Sequence, residues 1–294
     1  LRAVARGILA EASAAIDNRD KSEADAVHDF RKAMKRWRAL LRLLRPYLGD
    51  GGLKLRDEAR DLGRELARPR DAQSALDGLD DALRHDIELS PRSLANIRGR
   101  LEEVRQRAES RALTPVMRAR IAVAIRTASK AVSRWRLARL GFGDIAGQLT
   151  ETYRRARQMV PDEWSQATAR ELHQLRQRVV EHRYQMELVE PLWPKLGKLW
   201  IEEAQRLRDR LGKHQDLVVL ASLTAPHQLL ATWRSRLTPA IEERRSVHVQ
   251  AAARISGRLF AERPKAFRRR LAAMWKARAV VGEDPRPQAE GEAA

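Results

Sequence analysis

The sequence predicts an all-α protein built from two related halves, on three observations. Ala, Leu and Arg dominate the 294 residues, and aromatics make up only 5%, a composition that favours helices over strands. Helix punctuation is frequent and no segment reads as a convincing strand. A motif also occurs twice, as AVHDFRKAMKRWRALLRLLRP from Ala26 and ELHQLRQRVVEHRYQMELVEP from Glu171, aligned without a gap at an offset of 145 residues. His28 falls on His173, Arg31 on Arg176, Arg38 on Arg183 and Pro46 on Pro191. The register continues through Glu58/Glu203, Leu62/Leu207, Leu66/Leu211 and Asp71/Asp216.

In the first copy helices are expected over residues 1–17, 24–46, 53–68, 70–85, 91–111 and 115–140. Ser90-Pro91 and Thr114-Pro115 each place an N-cap residue before Pro at the first helical position, as does Thr238-Pro239 later on. Asp50-Gly51-Gly52 reads as the turn ending the first motif helix, with a counterpart around Pro194. In that helix Phe30, Met34, Trp37, Leu41 and Leu44 form an apolar stripe, the pattern of a bundle helix. Leu140-Gly141-Phe142-Gly143-Asp144 is the strongest boundary, with Asp144 able to cap the next helix. Further helices are expected over 145–159, 165–191, 195–212, 214–223, 227–236, 239–262 and 265–280. The expected division is 1–142, 143–281 and a Pro-, Glu- and Gly-rich tail 282–294 that reads as disordered.

Charge is the main functional clue in the composition. The formal net charge is +19, with +11 on residues 1–142 and +8 on the remainder, and 48 of the 58 cationic residues are Arg. So much self-repulsion points to a polyanionic partner, and the planar guanidinium fork suits phosphate oxygens. Without cysteine there is neither a disulfide framework nor a Cys-ligated metal site. No apolar run approaches the roughly 18 residues of a membrane span and no signal peptide opens the chain. A soluble, cytoplasmic protein with no membrane partner is expected. The chain starts at Leu1, which leaves room for an upstream domain.

Taken at 100° per residue, His28, Arg31, Lys35, Arg38 and Arg42 fall within about 80° of arc and form a basic stripe. A solvated face is the ordinary reading of one such stripe; a second copy in register favours a binding face. His28 and His173 have three open roles: phosphate hydrogen-bond donor, metal ligand, or structural anchor for the neighbouring Arg. No HxxxH or HxH occurs to favour a metal. Asp71 and Asp216 read as carboxylates at the start of a short helix, or as clamps on a groove Arg. Trp37, Trp193 and Trp200 lie at bundle-like spacing and read as packing residues. Arg268-Arg269-Arg270 either extends the basic surface or is plain solvated charge. No carboxylate cluster for Mg²⁺ and no glycine-rich phosphate loop accompanies the stripe, so catalysis and a cofactor are not expected.

These motifs resemble the CHAD domain, a conserved-histidine α-helical domain. The HxxR opening appears at His28-Asp29-Phe30-Arg31 and His173-Gln174-Leu175-Arg176, and the second motif helix ends in Arg183-Tyr184. The LGxxxD element appears at Leu211-Gly212-Lys213-His214-Gln215-Asp216 and, degraded, at Leu66-Ala67-Arg68-Pro69-Arg70-Asp71. Tyr153-Arg154-Arg155-Ala156-Arg157 resembles the family's basic helix. The resemblance implies two four-helix bundles related by pseudo-twofold symmetry, with additional helices, and a basic groove that binds inorganic polyphosphate without catalysis, with recruitment to polyphosphate granules. It places His28, Arg31, Lys35, Arg38, Arg42, Arg154, Arg157, His173, Arg176, Arg178 and Arg183 at that groove. The family's frequent triphosphate tunnel metalloenzyme partner is not expected here, since no ExExK signature occurs. Where the second copy should be basic it carries Val180 and Glu181, against Lys35 and Arg36. Binding is therefore expected to lean toward the first bundle, with Arg178 and Lys213 compensating. The alternative is a basic helical protein that binds nucleic acid generally, which a pI of about 11.1 permits.

Overall fold

The computed structural model describes residues 1–18, 20–66, 68–84, 88–109 and 113–278; the expected tail 282–294 and the side chain of Asp71 lie outside them. Among the described residues the fold is all-α, with helices α1 (Arg2–Asp17), α2 (Glu23–Leu43), α3 (Arg45–Glu65), α4 (Arg68–Ala82), α5 (Pro91–Glu109), α6 (Pro115–Ser133), α7 (Phe142–Gln158), α8 (Ala169–Met186), α9 (Pro194–Leu223), α10 (Arg234–Leu259) and α11 (Pro264–Arg278).

Local chemistry explains most of the boundaries. The Ser22 side chain accepts from the Asp25 N–H, and Glu23 and Asp25 stand at the positive end of α2. The helix stops at Leu43, short of the expected 46, because Pro46 has no N–H to offer the Arg42 carbonyl. The expected turn at Asp50-Gly51-Gly52 falls instead at Gly49, whose φ of 54° kinks α3 and is open to glycine without strain. Pro194, at the matching position of the second copy, starts α9. Ser90 accepts from the Ser93 N–H and Thr114 from the Met117 N–H, so α5 and α6 begin at their prolines as expected. Asp144 sits at the third position of α7 and reaches back 2.9 Å to the Gly141 N–H. Thr168 and Glu171 close a capping box at α8.

Three expectations fail. The break expected near 213 is absent, since α9 runs unbroken from Pro194 to Leu223. Its counterpart is split into α3 and α4, because Pro69 cannot bond the Glu65 carbonyl whereas His214, at the same position, can. Thr238-Pro239 does not start a helix: Pro239 lies inside α10. Leu237, Ala240 and Ile241 are buried and draw the preceding turn into the helix, while the carbonyl that Pro239 leaves unbonded belongs to the exposed Ser235. The helix expected over 227–236 is reduced to the 3₁₀ turn Ala231–Trp233 and the start of α10. Elsewhere, α6 ends at Ser133 rather than 140, and Trp135 turns inward to stack on Trp37 at 5.8 Å and 8°.

The apolar side chains gather in three clusters. One joins α1, α2, α3 and α6 through residues such as Ile8, Phe30, Trp37, Leu62 and Ile121. The second joins α7, α8, α11, the first part of α9 and the last part of α10 through Leu149, Tyr153, Leu175, Leu207 and Phe267. The third takes α4 and α5 from one side of the expected boundary, and the end of α9 and start of α10 from the other, around Leu79, Ile97, Leu101, Leu217 and Leu237. Packing partners repeat between the copies. The helix pairs α1–α2, α2–α3, α1–α6 and α4–α5 correspond to α7–α8, α8–α9, α7–α11 and α9–α10, a pattern compatible with a pseudo-twofold pair of bundles. In the third cluster α4 and α9 approach so closely that a Cβ on Gly78 would stand 2.7 Å from the Asp216 carbonyl oxygen. Beside them the buried Asp81 accepts from Arg244 at 3.0 Å and stands 2.5 Å from His248 Nε2, tying α4 to α10.

Candidate functional site

The basic stripe of α2 faces a second one on α3. Arg56, Arg60 and Arg64 recur every four residues and so share a face, and they stand close enough to Arg38 and Arg42 to act on Arg38 electrostatically. Burial, then the charges of Arg42, Arg56, Arg60 and Arg64, lower the proton affinity of the Arg38 guanidinium, whose Nε is buried with no hydrogen-bond partner. Part of the opposing charge comes from α3 itself: Arg60 pairs with Asp57 at 3.1 Å and Asp61 at 3.0 Å. Arg31 has a structural task as well. It donates to the Leu66 carbonyl at 3.1 Å, one of the acceptors that the end of α3 leaves without a helical partner. In the second copy Arg176 lies against Gly212, 3.5 Å from where a Cβ would stand.

At the far end of the stripe α2, α3, α7 and α8 enclose a cleft of about 470 Å³. Arg42, Arg45, Arg56, Arg155 and Arg178 line it, together with the carboxylates Glu151 and Glu181. One oxygen of Glu181 accepts from Arg42 at 2.7 Å and from Arg178 at 3.1 Å. Burial raises the pKa of Glu181 even though Arg42, Arg155 and Arg38 oppose the shift. Glu151 holds Arg154 at 2.7 Å and Arg155 at 2.6 Å. One turn past Glu181, Gln185 donates to the Ala39 carbonyl at 3.0 Å and locks α8 to α2.

The other expected site residues are distributed around this centre. His28 is exposed and Lys35 half-buried on α2. His173 Nε2 stands 2.8 Å from Gln177 Nε2, in a shallow hollow shared with Arg170 and Gln215. Arg183 pairs with Glu187 at 3.3 Å and lies over the Tyr184 ring. Arg154 is taken up by Glu151 and Gln158, while Arg157 donates to the Phe260 carbonyl at 2.9 Å. Neither they nor Lys213 line the cleft, whereas Arg155 does. Arg45, Arg56, Arg60, Arg64 and Arg155 were missed in the sequence, although the four-residue spacing on α3 was there to find.

The residues whose roles the sequence left open are placed as follows. Asp216 stands inside α9, in its last third, rather than at a helix start. Trp37 is core and Trp200 donates to His182 Nε2 at 2.9 Å, but Trp193 is 53% exposed. Arg270 pairs with Glu262 at 2.8 Å and lies over Trp200, while Arg268 and Arg269 are exposed. Among the described residues no three His, Asp or Glu side chains are grouped as a metal site, and no helix is long and apolar enough to cross a membrane.

Comparison with curated proteins gives no match. A family model of the CHAD domain, a type of binding domain associated with polyphosphate, matches residues 2–225, from α1 through the whole of α9. With both histidine-arginine helices and the guanidinium cleft inside that span, the chain belongs to the CHAD family.

Proposed function

We propose that the protein binds inorganic polyphosphate along the α2–α3 guanidinium face and in the cleft it leads to, without acting on it chemically, and that this binding recruits it to polyphosphate granules. One observation carries the reading: Arg38, Arg42, Arg56, Arg60 and Arg64 are held near one another, and the Nε of Arg38 is buried without a partner. Such crowding of like charge disfavours the empty protein and is relieved by a polyanion. Polyphosphate offers about one negative charge per internal phosphate and no base to read. Its recognition is therefore electrostatic and geometric, through charge-assisted hydrogen bonds and counterion release.

The test is calorimetry with long-chain polyphosphate at two salt concentrations, with duplex DNA as competitor. Tight, salt-sensitive binding that survives excess DNA supports the reading. Binding no tighter than to DNA would leave a generic basic protein, the alternative that the pI of about 11.1 permits. Arg31→Ala with Arg176→Ala should weaken binding far more than Arg105→Ala with Arg107→Ala, whose guanidiniums pair with Glu102 and Glu103 on α5. Circular dichroism separates loss of the Leu66 contact from loss of phosphate contacts. Release of phosphate from the chain, abolished by substitution of His28 or His173, would overturn the non-catalytic part.

A further inference from the structure

Glu181 stands at the register position of Arg36, so the two copies carry opposite charges there. Arg36 pairs with Glu11 and Glu187 and does not line the cleft. Glu181 is only 9% exposed and lines the cleft wall. Its Oε2 gathers one Nη from Arg42 and one from Arg178, two helices converging on a single oxygen as they would on a phosphate oxygen. The carboxylate has little freedom to retreat. The next residue, His182, accepts from Trp200 in the core, and Gln185 fastens the adjoining turn to α2.

Resting on the polyphosphate reading, we infer that Glu181 is a built-in competing anion: it occupies the seat between Arg42 and Arg178 that a phosphate group would take, and thereby sets the affinity and the pH response of the cleft. In the empty protein it neutralises part of a crowded guanidinium wall. A phosphate that enters must either stay on the outer wall, with Arg45, Arg56 and Arg155, or share the inner seat with a fixed negative charge.

The groups facing Glu181 are Arg38 and Arg42 from α2, Arg45 and Arg56 from α3, Arg155 and Glu151 from α7, and Arg178 from its own helix. Burial already favours the protonated carboxyl, the guanidiniums oppose this, and an incoming phosphate pushes in the same direction as burial. Binding therefore takes up protons and tightens as pH falls. Because internal phosphates of a long chain do not titrate in this range, the proton uptake belongs to the protein.

The experiment is calorimetry of long-chain polyphosphate with the wild type, Glu181→Gln and Glu103→Gln, at pH 7.5 and 5.5, in two buffers of different ionisation enthalpy. Glu103 is an exposed partner of Arg107 remote from the cleft, so its replacement makes the same change in net charge elsewhere. Removing a like charge about 5 Å from a bound phosphate should tighten binding by roughly tenfold at pH 7.5. Glu103→Gln should shift it less than twofold. The gap between wild type and Glu181→Gln should narrow at pH 5.5, and wild type and Glu103→Gln should take up more protons on binding than Glu181→Gln. If Glu181→Gln binds no tighter than Glu103→Gln and keeps the wild-type pH slope, the inference is overturned while the polyphosphate reading stands. Wild-type binding no tighter than to duplex DNA overturns the reading beneath it. Should Glu181→Gln fail to fold, the same measurement on His28→Gln with His173→Gln, which keeps Glu181, decides the question: proton uptake that persists supports the inference, and uptake near zero between pH 7.5 and 5.5 sinks it.

Discussion

Replacing Arg38 by methionine should move stability and binding in opposite directions, which few causes other than a ligand-directed charge cluster would produce. Arg38 contributes a buried Nε with no partner and stands among Arg42, Arg56, Arg60 and Arg64. An unsatisfied buried donor costs about 1–3 kcal/mol, and methionine keeps an unbranched apolar stem along the same path. With the guanidinium head partly solvated, the empty protein should gain about 1–2 kcal/mol. Unfolding entropy of roughly 2.1 cal/mol/K per residue gives about 0.6 kcal/mol/K for this chain, so Tm should rise by about 2–3 °C. Binding loses hydrogen bonds to a charged group worth about 1.5–3 kcal/mol, a weakening of roughly 10- to 150-fold. The salt slope of log K should also shrink by about 0.7, the share of one phosphate contact on a single strand. The assays are thermal denaturation in phosphate-free buffer and calorimetry with polyphosphate at two salt concentrations. A lower Tm together with binding within twofold of wild type would refute the reasoning, because Arg38 would then be a structural residue.

Other changes test the frame that holds this face. Asp81→Ala strands Arg244 beside the buried His248 and should cost about 3–5 kcal/mol, measured by urea denaturation. Hydrogen bonds from His248 and Arg244 outweigh burial and hold the Asp81 carboxyl well below its ordinary range. The cost should therefore be full above the unfolded carboxylate value of about 3.9 and fade as pH falls toward the depressed folded value. Gly78→Ala drives a Cβ against the Asp216 carbonyl oxygen and should lose about 1–3 kcal/mol, whereas Gly7→Ala, with nothing within 4 Å, should gain up to about 1 kcal/mol. Burial pushes His182 down to about 3 and His214 down to about 4. Each should therefore stabilise the fold fully above pH 6.5 and lose up to about 1.4 kcal/mol per pH unit below it. Denaturation midpoints across pH 4–8 should flatten in His182→Phe and His214→Phe, and an unchanged slope would contradict the neutral assignment.

What the sequence disclosed depended on whether the deciding forces were local. Thr114-Pro115 and Ser90-Pro91 start helices because cap and proline act within one turn. Thr238-Pro239 carries the same signal, yet burial of Leu237 and Ile241 against α4 and α5 overrides it, and those partners lie more than 130 residues away. The break expected between 212 and 214 is absent although Gly212 stands there: a helical glycine costs only about 1 kcal/mol, and Leu207, Leu211, Leu217 and Leu220 bury on either side of it. At the candidate site, comparison of the two copies isolated what both share and so singled out His28, Arg31 and Arg38 with their counterparts. For the same reason it passed over Arg56, Arg60 and Arg64, whose counterparts are Ile201, Gln205 and Asp209. The rotation of α7 that turns Arg155 to the cleft comes from burial of Leu149, Tyr153 and Ala156, a tertiary outcome that the run Arg154-Arg155-Ala156-Arg157 does not encode by itself.

That divergence between copies explains why the cleft has the charge it has. Lys35, Arg42, Arg56, Arg60 and Arg64 stand opposite Val180, Glu187, Ile201, Gln205 and Asp209 in the register, so the second copy has no equivalent guanidinium face. What it contributes is a wall: Arg155 and Glu151 from α7, Arg178 and Glu181 from α8. Its core is rearranged to match. Trp37 and Leu55 of the first copy correspond to His182 and Trp200, so the large ring has moved from the motif helix to the next helix in the chain. His182 then accepts from Trp200 and stays uncharged, which lets α8 carry a fixed carboxylate into the cleft without a second charge buried behind it. On the polyphosphate reading, one copy concentrates the cations that would attract a phosphate chain, and the other holds a carboxylate that would limit how tightly they can close on it.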